Sequence, residues 1–270
     1  MRSYILQLKS RDGNLLSSSN GYLLFSLLCA LVRGSRLDPV FHPDAGNGKK
    51  AVSLGMMRPQ GQNAFASEDF RLARGEVVRA RVSFVHDEDG LCFESLLRPR
   101  AGTAVRLGTA LFVLDRLLCP GEDKLALGLS PAQLIPSAPT DSAGLRFVSP
   151  AGFKRNGRQF FLPLPEPIFG ELLRQWRLFL DPSGWPGFEE VLPRIEVWSY
   201  RAESRAVRLR QDRIVRGFCG EAEFTLPGSS VPERTALSAL AGLAFFTGVG
   251  YKTTQGMGEV WPFWRRSKAL

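Results

Sequence analysis

Only two histidines, His42 and His86, occur in these 270 residues, and that scarcity already narrows the chemistry. Metal centres of the zinc type draw on clustered His and Cys, and the two histidines with the four cysteines show no such ligand spacing. The four cysteines (Cys29, Cys92, Cys119, Cys219) form no Cys-x-x-Cys pair, and each stands beside apolar residues. They read as reduced core thiols, not as a disulfide framework. Long apolar runs are missing too: the longest, GYLLFSLLCALV, is too short to cross a bilayer and ends at Arg33. Lys9, Arg11 and Asp12 precede it, which spoils a signal-peptide reading. The expectation is a cytoplasmic protein with no membrane segment, no metal site and no cofactor.

Nucleotide-cofactor loops are absent as well. GVGYKTTQGMGEV, residues 248–260, carries Gly248, Gly250, Gly256 and Gly258 around Lys252, Thr253, Thr254 and Gln255. A P-loop needs Gly-x4-Gly-Lys-[Ser/Thr] with its helix after the loop, whereas here the helix-forming run comes before. A dinucleotide fingerprint needs a third glycine at position 253, which is threonine. What remains is a long helix-to-strand turn whose amides and Lys252 could follow a polymer backbone. Helix capping at Gly248 and a glycine-permitted turn at 256–258 would explain part of it.

What the chain does have is positive charge. Thirty-five Lys and Arg against 26 Asp and Glu give a net +9 and a pI near 9.8, which points to a polyanion. With 44% hydrophobic and 23% charged residues it is a globular composition with ample core.

RSYILQLKS alternates as an opening strand, and SSSNGYLLFSLLCALVRG follows as a helix. FHPDAGNGKKAVSLG reads as a loop in its middle. EVVRARVSFVHDEDGLCFESLL supplies a strand, with Asp87–Gly90 as turn punctuation, then a short helix or turn. AVRLGTALFVLDRLL gives two strands broken at Gly108. Residues 119–144, rich in Pro, Gly, Ser and Asp, form the natural boundary. The second half repeats the grammar: strand LRFVSPAGF, helix PEPIFGELLRQWRLFL, the strand-rich stretch from Arg194 to Leu226, helix PERTALSALAGLAFFTG, the glycine loop and a last strand EVWPFW. The reading is an α+β chain of two tandem ferredoxin-like (RRM-like, β-α-β-β-α-β) domains, 1–135 and 136–270.

The string GFCGEAEF…LAGLAFFTGVGYKTTQGMGEV resembles the C-terminal region of the RAMP superfamily of CRISPR RNA-binding proteins. FVSPAGFKRNGRQFFLPLPEPIFGELLRQW and FHPDAGNGKKAVSLG narrow the resemblance to the Cas-six family of CRISPR precursor-RNA-processing endoribonucleases. Ala51, Val52, Gly55 and Ala151 depart from that family's pattern, which favours proline, an aromatic residue, serine and threonine there.

The resemblance implies a metal-independent, sequence-specific endoribonuclease that cuts CRISPR repeat RNA by 2′-hydroxyl attack. It places the general acid/base at His42, past the foot of the first helix, and the transition-state cation at Lys50, with Lys49 as alternative. Tyr22 is a candidate to orient the 2′-hydroxyl. Imidazole suits proton transfer near neutral pH, and a cation suits charge on phosphorus. His86, beside three acids and the expected turn, reads as a surface histidine. RNA-binding candidates are the eight loop residues named above, then Lys154, Arg155 and Arg158, and the arginine-rich stretch with Arg205, Arg208, Arg210, Arg213 and Arg216. In an extended chain Arg208 and Arg210 face away from Val207 and Leu209. The partner implied is CRISPR repeat RNA, with effector-complex subunits and a second copy of the chain left open. A non-catalytic RAMP subunit that only holds guide RNA is the alternative. A general RRM-like binder is disfavoured because no RNP-like aromatic string occurs.

Overall fold

A computed structural model of the protein describes residues 1–42, 50–62, 68–155, 157–209 and 213–264, save the side chain of Arg155. The fold is α+β. The chain opens with strand β1 (Arg2–Ser10) and a short β2 (Asn14–Leu16), then helix α1 (Gly21–Val32) and the single-turn α2 (Asp38–Phe41). Short strands β3 (Val52–Leu54), β4 (Arg58–Pro59) and β5 (Phe70–Leu72) lead to β6 (Val77–Phe84), helix α3 (Asp87–Leu97) and the hairpin β7 (Ala104–Leu107)–β8 (Ala110–Leu118). The sheet runs β3-β6-β1-β8-β7 with every pair antiparallel. In the series β1-α1-β3-β6-α3-β8, the second, third, first and fourth strands therefore lie side by side.

The period-two alternation of β1 sends Tyr4, Leu6 and Leu8 to one face, opposite Val82, Ala80 and Val78 of β6. That face packs on α1 through Leu24, Leu28 and Val32 and on α3 through Phe93 and Leu97. The other face of this sheet is polar yet covered. Residues 119–134 cross it, with Ser3 Oγ donating to the Leu125 carbonyl and Arg79 paired to Asp123 at 2.8 Å.

Asp87–Gly90 is not a turn: it begins α3. Three acids in the first turn (Asp87, Glu88, Asp89) face the positive end of the helix dipole, and Phe93 and Leu97, one turn apart, carry the helix onto the core. His86 is the extended residue ahead of it, exposed, its ring edge-on to Phe179.

The second half comprises β9 (Ser142–Ala151), the small hairpin β10 (Phe153–Arg155)–β11 (Arg158–Phe160) and helix α4 (Pro165–Phe179). The single-turn α5 (Phe188–Val191), strands β12 (Glu196–Arg208) and β13 (Ile214–Thr225), helix α6 (Val231–Thr247) and strand β14 (Val260–Phe263) complete it. Its sheet runs β12-β13-β9-β14, again antiparallel, and in β9-α4-β12-β13-α6-β14 the same second-third-first-fourth order recurs. Ser230 caps α6 through a capping box with Glu233. From Ala236 to Thr247 this helix is buried on every side, because it lies between two layers. One side packs on its own sheet through residues such as Leu237 and Leu240. The other meets the first half, where Ser53 Oγ donates to the Phe246 carbonyl at 2.7 Å and the Arg81 guanidinium sits 4.0 Å from the Phe245 ring centroid. All four cysteines are free thiols, three of them buried. Among the described residues no helix is long and apolar enough to cross a membrane.

Candidate functional site

The sequence Asp38-Pro-Val-Phe-His42 makes one helical turn, with Pro39 near its start presetting φ. His42 is its C-cap and donates its amide to the Asp38 carbonyl at 2.8 Å. One turn of helix brings positions i and i+4 together, and His42 Nδ1 lies 2.8 Å from Asp38 Oδ1. The other carboxylate oxygen of Asp38 accepts the Gly34 amide at 2.9 Å. The Gly34 amide first, then His42, hold this carboxyl below its usual range. The imidazole itself is 49% exposed.

Lys50 reaches back to the same turn. Its ammonium donates to the carbonyl of Phe41, the residue next to His42, and lies 4.4 Å from the centroid of the Phe25 ring. Burial pushes this ammonium below the ordinary lysine range, and Lys252 of the glycine loop pushes the same way. Tyr22 is the second residue of α1, half-buried and three residues before Phe25. The first turn of α1 meets the glycine loop directly: a Cβ on Gly21 would stand 2.0 Å from the Gln255 carbonyl oxygen.

The loop's glycines answer to the protein's own packing. All four have positive φ, from 65° at Gly258 to 91° at Gly250, and all four are buried. A Cβ on Gly258 would lie 2.0 Å from the Val249 carbonyl oxygen, and one on Gly250 would lie 2.3 Å from that of Gly152. One on Gly256 would strike Met56. The amides of Gly248, Val249, Tyr251, Gln255, Met257 and Gly258 are spent on internal carbonyls. The close approach that the glycines permit is thus of this backbone to itself. The part of the loop left outward is Lys252, exposed, with Thr253, Thr254 and Gln255 partly so. Lys252 adopts the left-handed region (φ 63°, ψ 30°), which is rare for a side-chain-bearing residue, and its carbonyl accepts from Gln255 and Met257.

Two hairpins flank the loop. Gln159 of β11 donates to the Tyr251 hydroxyl at 2.6 Å, and the Lys154 ammonium sits 5.4 Å from the centre of the Tyr251 ring. Lys154 and Arg158 are exposed. In the β12–β13 hairpin Val207 and Leu209 are buried against Val215, Met56 and Met257, while Arg208, Arg213 and Arg216 point outward. Arg205 pairs with Glu203, and the Arg208 amide donates to Ser19 Oγ at 2.9 Å, tying the hairpin to the first half. Arg210, Lys49 and the Arg155 side chain lie outside the described residues. Lys50, Lys154, Arg158, Arg174 and Lys252 share one open groove of about 1850 Å³ between the β10–β11 hairpin, α4 and the glycine loop. Its charged lining has five cations against three acids, Glu166 and Glu171 of α4 and Glu189 of α5.

Beneath the loop sits a group that the sequence did not suggest. Glu259, directly after Gly258, is 2% exposed and bonds the buried Arg58 at 2.6 Å, with buried Arg81 at 3.6 Å. Gly55 makes room for it, since a Cβ there would stand 2.5 Å from the Glu259 carboxylate. No short-range pattern links residues some two hundred positions apart. Asp38, by contrast, had a readable signal in its four-residue spacing from His42.

A family model described as CRISPR-associated endoribonuclease Cas6 matches residues 145–260. Among solved structures, a Cas6 product complex is 27% identical, covering 98% of this chain and 100% of that one, with a TM-score of 0.77. A second Cas6 product complex is 26% identical over 97% and 99%, also with a TM-score of 0.77. The first of these proteins as a histidine-to-alanine mutant is 25% identical over 98% and 100%, with a TM-score of 0.75. No curated protein sequence matches.

Proposed function

Since the chain belongs to the Cas6 family of CRISPR-associated endoribonucleases, we propose that it processes CRISPR repeat RNA by metal-independent 2′-hydroxyl transesterification, with His42 as the acid/base. The two β-α-β-β-α-β series with matching strand order support two tandem ferredoxin-like domains, divided near residue 135. A cytoplasmic location goes with this reading.

The observation that carries the reading is Lys50: it lines the groove together with Lys252 and donates to the carbonyl of Phe41, the residue before the exposed His42. RNA needs no external nucleophile, because the 2′-oxygen next to the scissile phosphate can form the new O–P bond. His42 takes the 2′-hydroxyl proton as the 2′-oxygen bonds to phosphorus, the bond from phosphorus to the 5′-oxygen breaks, and the imidazolium gives the proton to that oxygen, which leaves as a hydroxyl. The products are a 2′,3′-cyclic phosphate and a 5′-hydroxyl. Lys50, partly desolvated and held on the Phe41 carbonyl, stabilises charge on the pentacoordinate phosphorus, and low local polarity strengthens that attraction. Tyr22 orients the ribose. Lys252 with Thr253, Thr254 and Gln255, Lys154 and Arg158 in the groove, and Arg208 and Arg213 on the hairpin hold backbone phosphates. Binding is therefore steeply salt-dependent. A hairpin stem would be read through its shape and backbone, with unpaired bases near the cut supplying choice.

Labelled repeat RNA in EDTA, beside a copy with a single 2′-deoxy at the cut site, tests the mechanism. Cleavage of the first and sparing of the second is expected. No cleavage of either would favour an RNA-holding subunit. His42→Ala should bind repeat RNA as the wild type does and lose about 10²–10⁴ in single-turnover rate; cleavage at the wild-type rate would refute the assignment.

A further inference from the structure

The carboxylate beside His42 plays no part in the proton transfers above. We propose that Asp38 is the positioning residue of His42: it fixes the imidazole in the tautomer with Nδ1 protonated, turns Nε2 toward the ribose, and balances the imidazolium formed when Nε2 takes the 2′-hydroxyl proton. This rests on the reading of His42 as acid/base and deepens it.

The tautomer follows from elementary hydrogen-bond chemistry. An ionised carboxylate only accepts, so at 2.8 Å from Asp38 Oδ1 the Nδ1 atom must carry the hydrogen. The remaining nitrogen, Nε2, then holds the lone pair a general base requires. Asp38 can serve this way because it is itself held in three places. Oδ2 accepts the Gly34 amide at 2.9 Å, Oδ1 takes the imidazole, and its carbonyl takes the His42 amide at 2.8 Å. The first two of these bonds stabilise the ionised carboxyl, so it accepts a hydrogen bond throughout and is not a proton store. The atoms balance without it: the proton passes from O2′ to Nε2, and Asp38 stays unprotonated. The charged group paired with this imidazole is Asp38 on its own turn; Lys50 donates to the neighbouring Phe41 carbonyl, and Arg33 at the end of α1 acts on Asp38.

An exposed i,i+4 ion pair that merely trims a helix end would look similar in distance, and the substitution Asp38→Asn separates the two. In that variant the amide oxygen can keep the Gly34 bond, while the amide nitrogen, a donor, turns to Nδ1. Nδ1 must then accept, which moves the hydrogen to Nε2 and removes the base. A structural role predicts that Asp38→Asn is milder than Asp38→Ala. A positioning role predicts that it is no milder.

The test uses the full chain with repeat RNA under single turnover, for wild type, Asp38→Asn, Asp38→Ala and His42→Ala, from about pH 5.5 to 9. Affinity is read with the 2′-deoxy RNA, and the His42 tautomer by ¹⁵N–¹³C correlation spectra. Expected are unchanged affinities and a cleavage rate at least about tenfold lower in both Asp38 variants, bounded by the loss in His42→Ala. The spectra should show Nδ1–H in the wild type and Nε2–H in Asp38→Asn. Cleavage at the wild-type rate in Asp38→Asn, or an Nε2–H imidazole in the wild type, overturns the positioning role. Undiminished cleavage in His42→Ala instead overturns the reading beneath it.

Discussion

Replacing Glu259 by glutamine should unfold the protein at a markedly lower temperature, because it strips the counter-charge from two buried guanidinium groups. Arg58 and Arg81 are 5% and 2% exposed, and Glu259 is 2% exposed. The Glu259 carboxylate sits 2.6 Å from Arg58 Nη2 and 3.6 Å from Arg81 Nε, and accepts the Trp261 indole N–H at 3.3 Å. Even with that partner, burial pushes the Arg81 guanidinium down to about 10. The charged form is already penalised, and neutralising Glu259 removes the main offset. Breaking a buried ion pair from one side costs about 3–5 kcal/mol. A 270-residue chain unfolds with an entropy of roughly 0.6 kcal/mol per degree, so the melting temperature should fall by roughly 5–9 °C. Thermal unfolding followed by circular dichroism, at low salt and in about 1 M salt, reads this. Since the group is shielded from solvent ions, the loss should be the same in both. Replacing all three residues together by apolar ones of similar volume should recover most of it. A drop below about 2 °C, or one that vanishes at high salt, would show that water reaches the trio and would refute the reasoning.

Lys252→Gly should separate stability from binding: relief of the left-handed backbone raises stability by up to about 1 kcal/mol, while affinity for repeat RNA falls and the slope of log affinity against log salt shrinks by roughly one phosphate contact. Chemical denaturation and filter binding on one preparation check both signs. Gly258→Ala, whose Cβ would stand 2.0 Å from the Val249 carbonyl oxygen, should be destabilising by more than the roughly 1–2 kcal/mol of positive φ alone; a neutral urea midpoint would contradict the packing. Lys50 loses its proton below the ordinary lysine range when folded. Cleavage should therefore fall at an alkaline pH where exposed lysines remain charged, and Lys50→Arg should carry activity to higher pH. Because the unfolded chain keeps that proton longer, this residue's contribution to stability rises with pH across the same window.

Much of the architecture was legible because it is written in short-range periodicity. The alternation of β1, the amphipathic α4 opening at Pro165 and the strand break at Gly108 are local patterns, and the structure has each of them. The misreading was Asp87–Gly90, where acidic residues followed by glycine read as a turn. The same acids stabilise a helix N-terminus once Phe93 and Leu97 have a core to meet. His42, Lys50 and Lys252 were picked by resemblance and residue chemistry. That Lys50 contacts the carbonyl next to His42, and feels the charge of Lys252, depends on Lys50 lying against the His42 turn and on the two halves docking.

By itself the sequence determined the element types, the basic character and the few residues able to move a proton near neutral pH. Tertiary structure alone decided what the glycine loop is for. Its glycines let the backbone pack against Val249, Gly152 and Met56 and leave Lys252 outward, and the buried Glu259 beneath it balances Arg58 and Arg81 from the other half. Close approach has a partner, and spacing along a chain says only that something comes near. Which atoms come near is set by long-range docking, to which residues hundreds of positions apart contribute together.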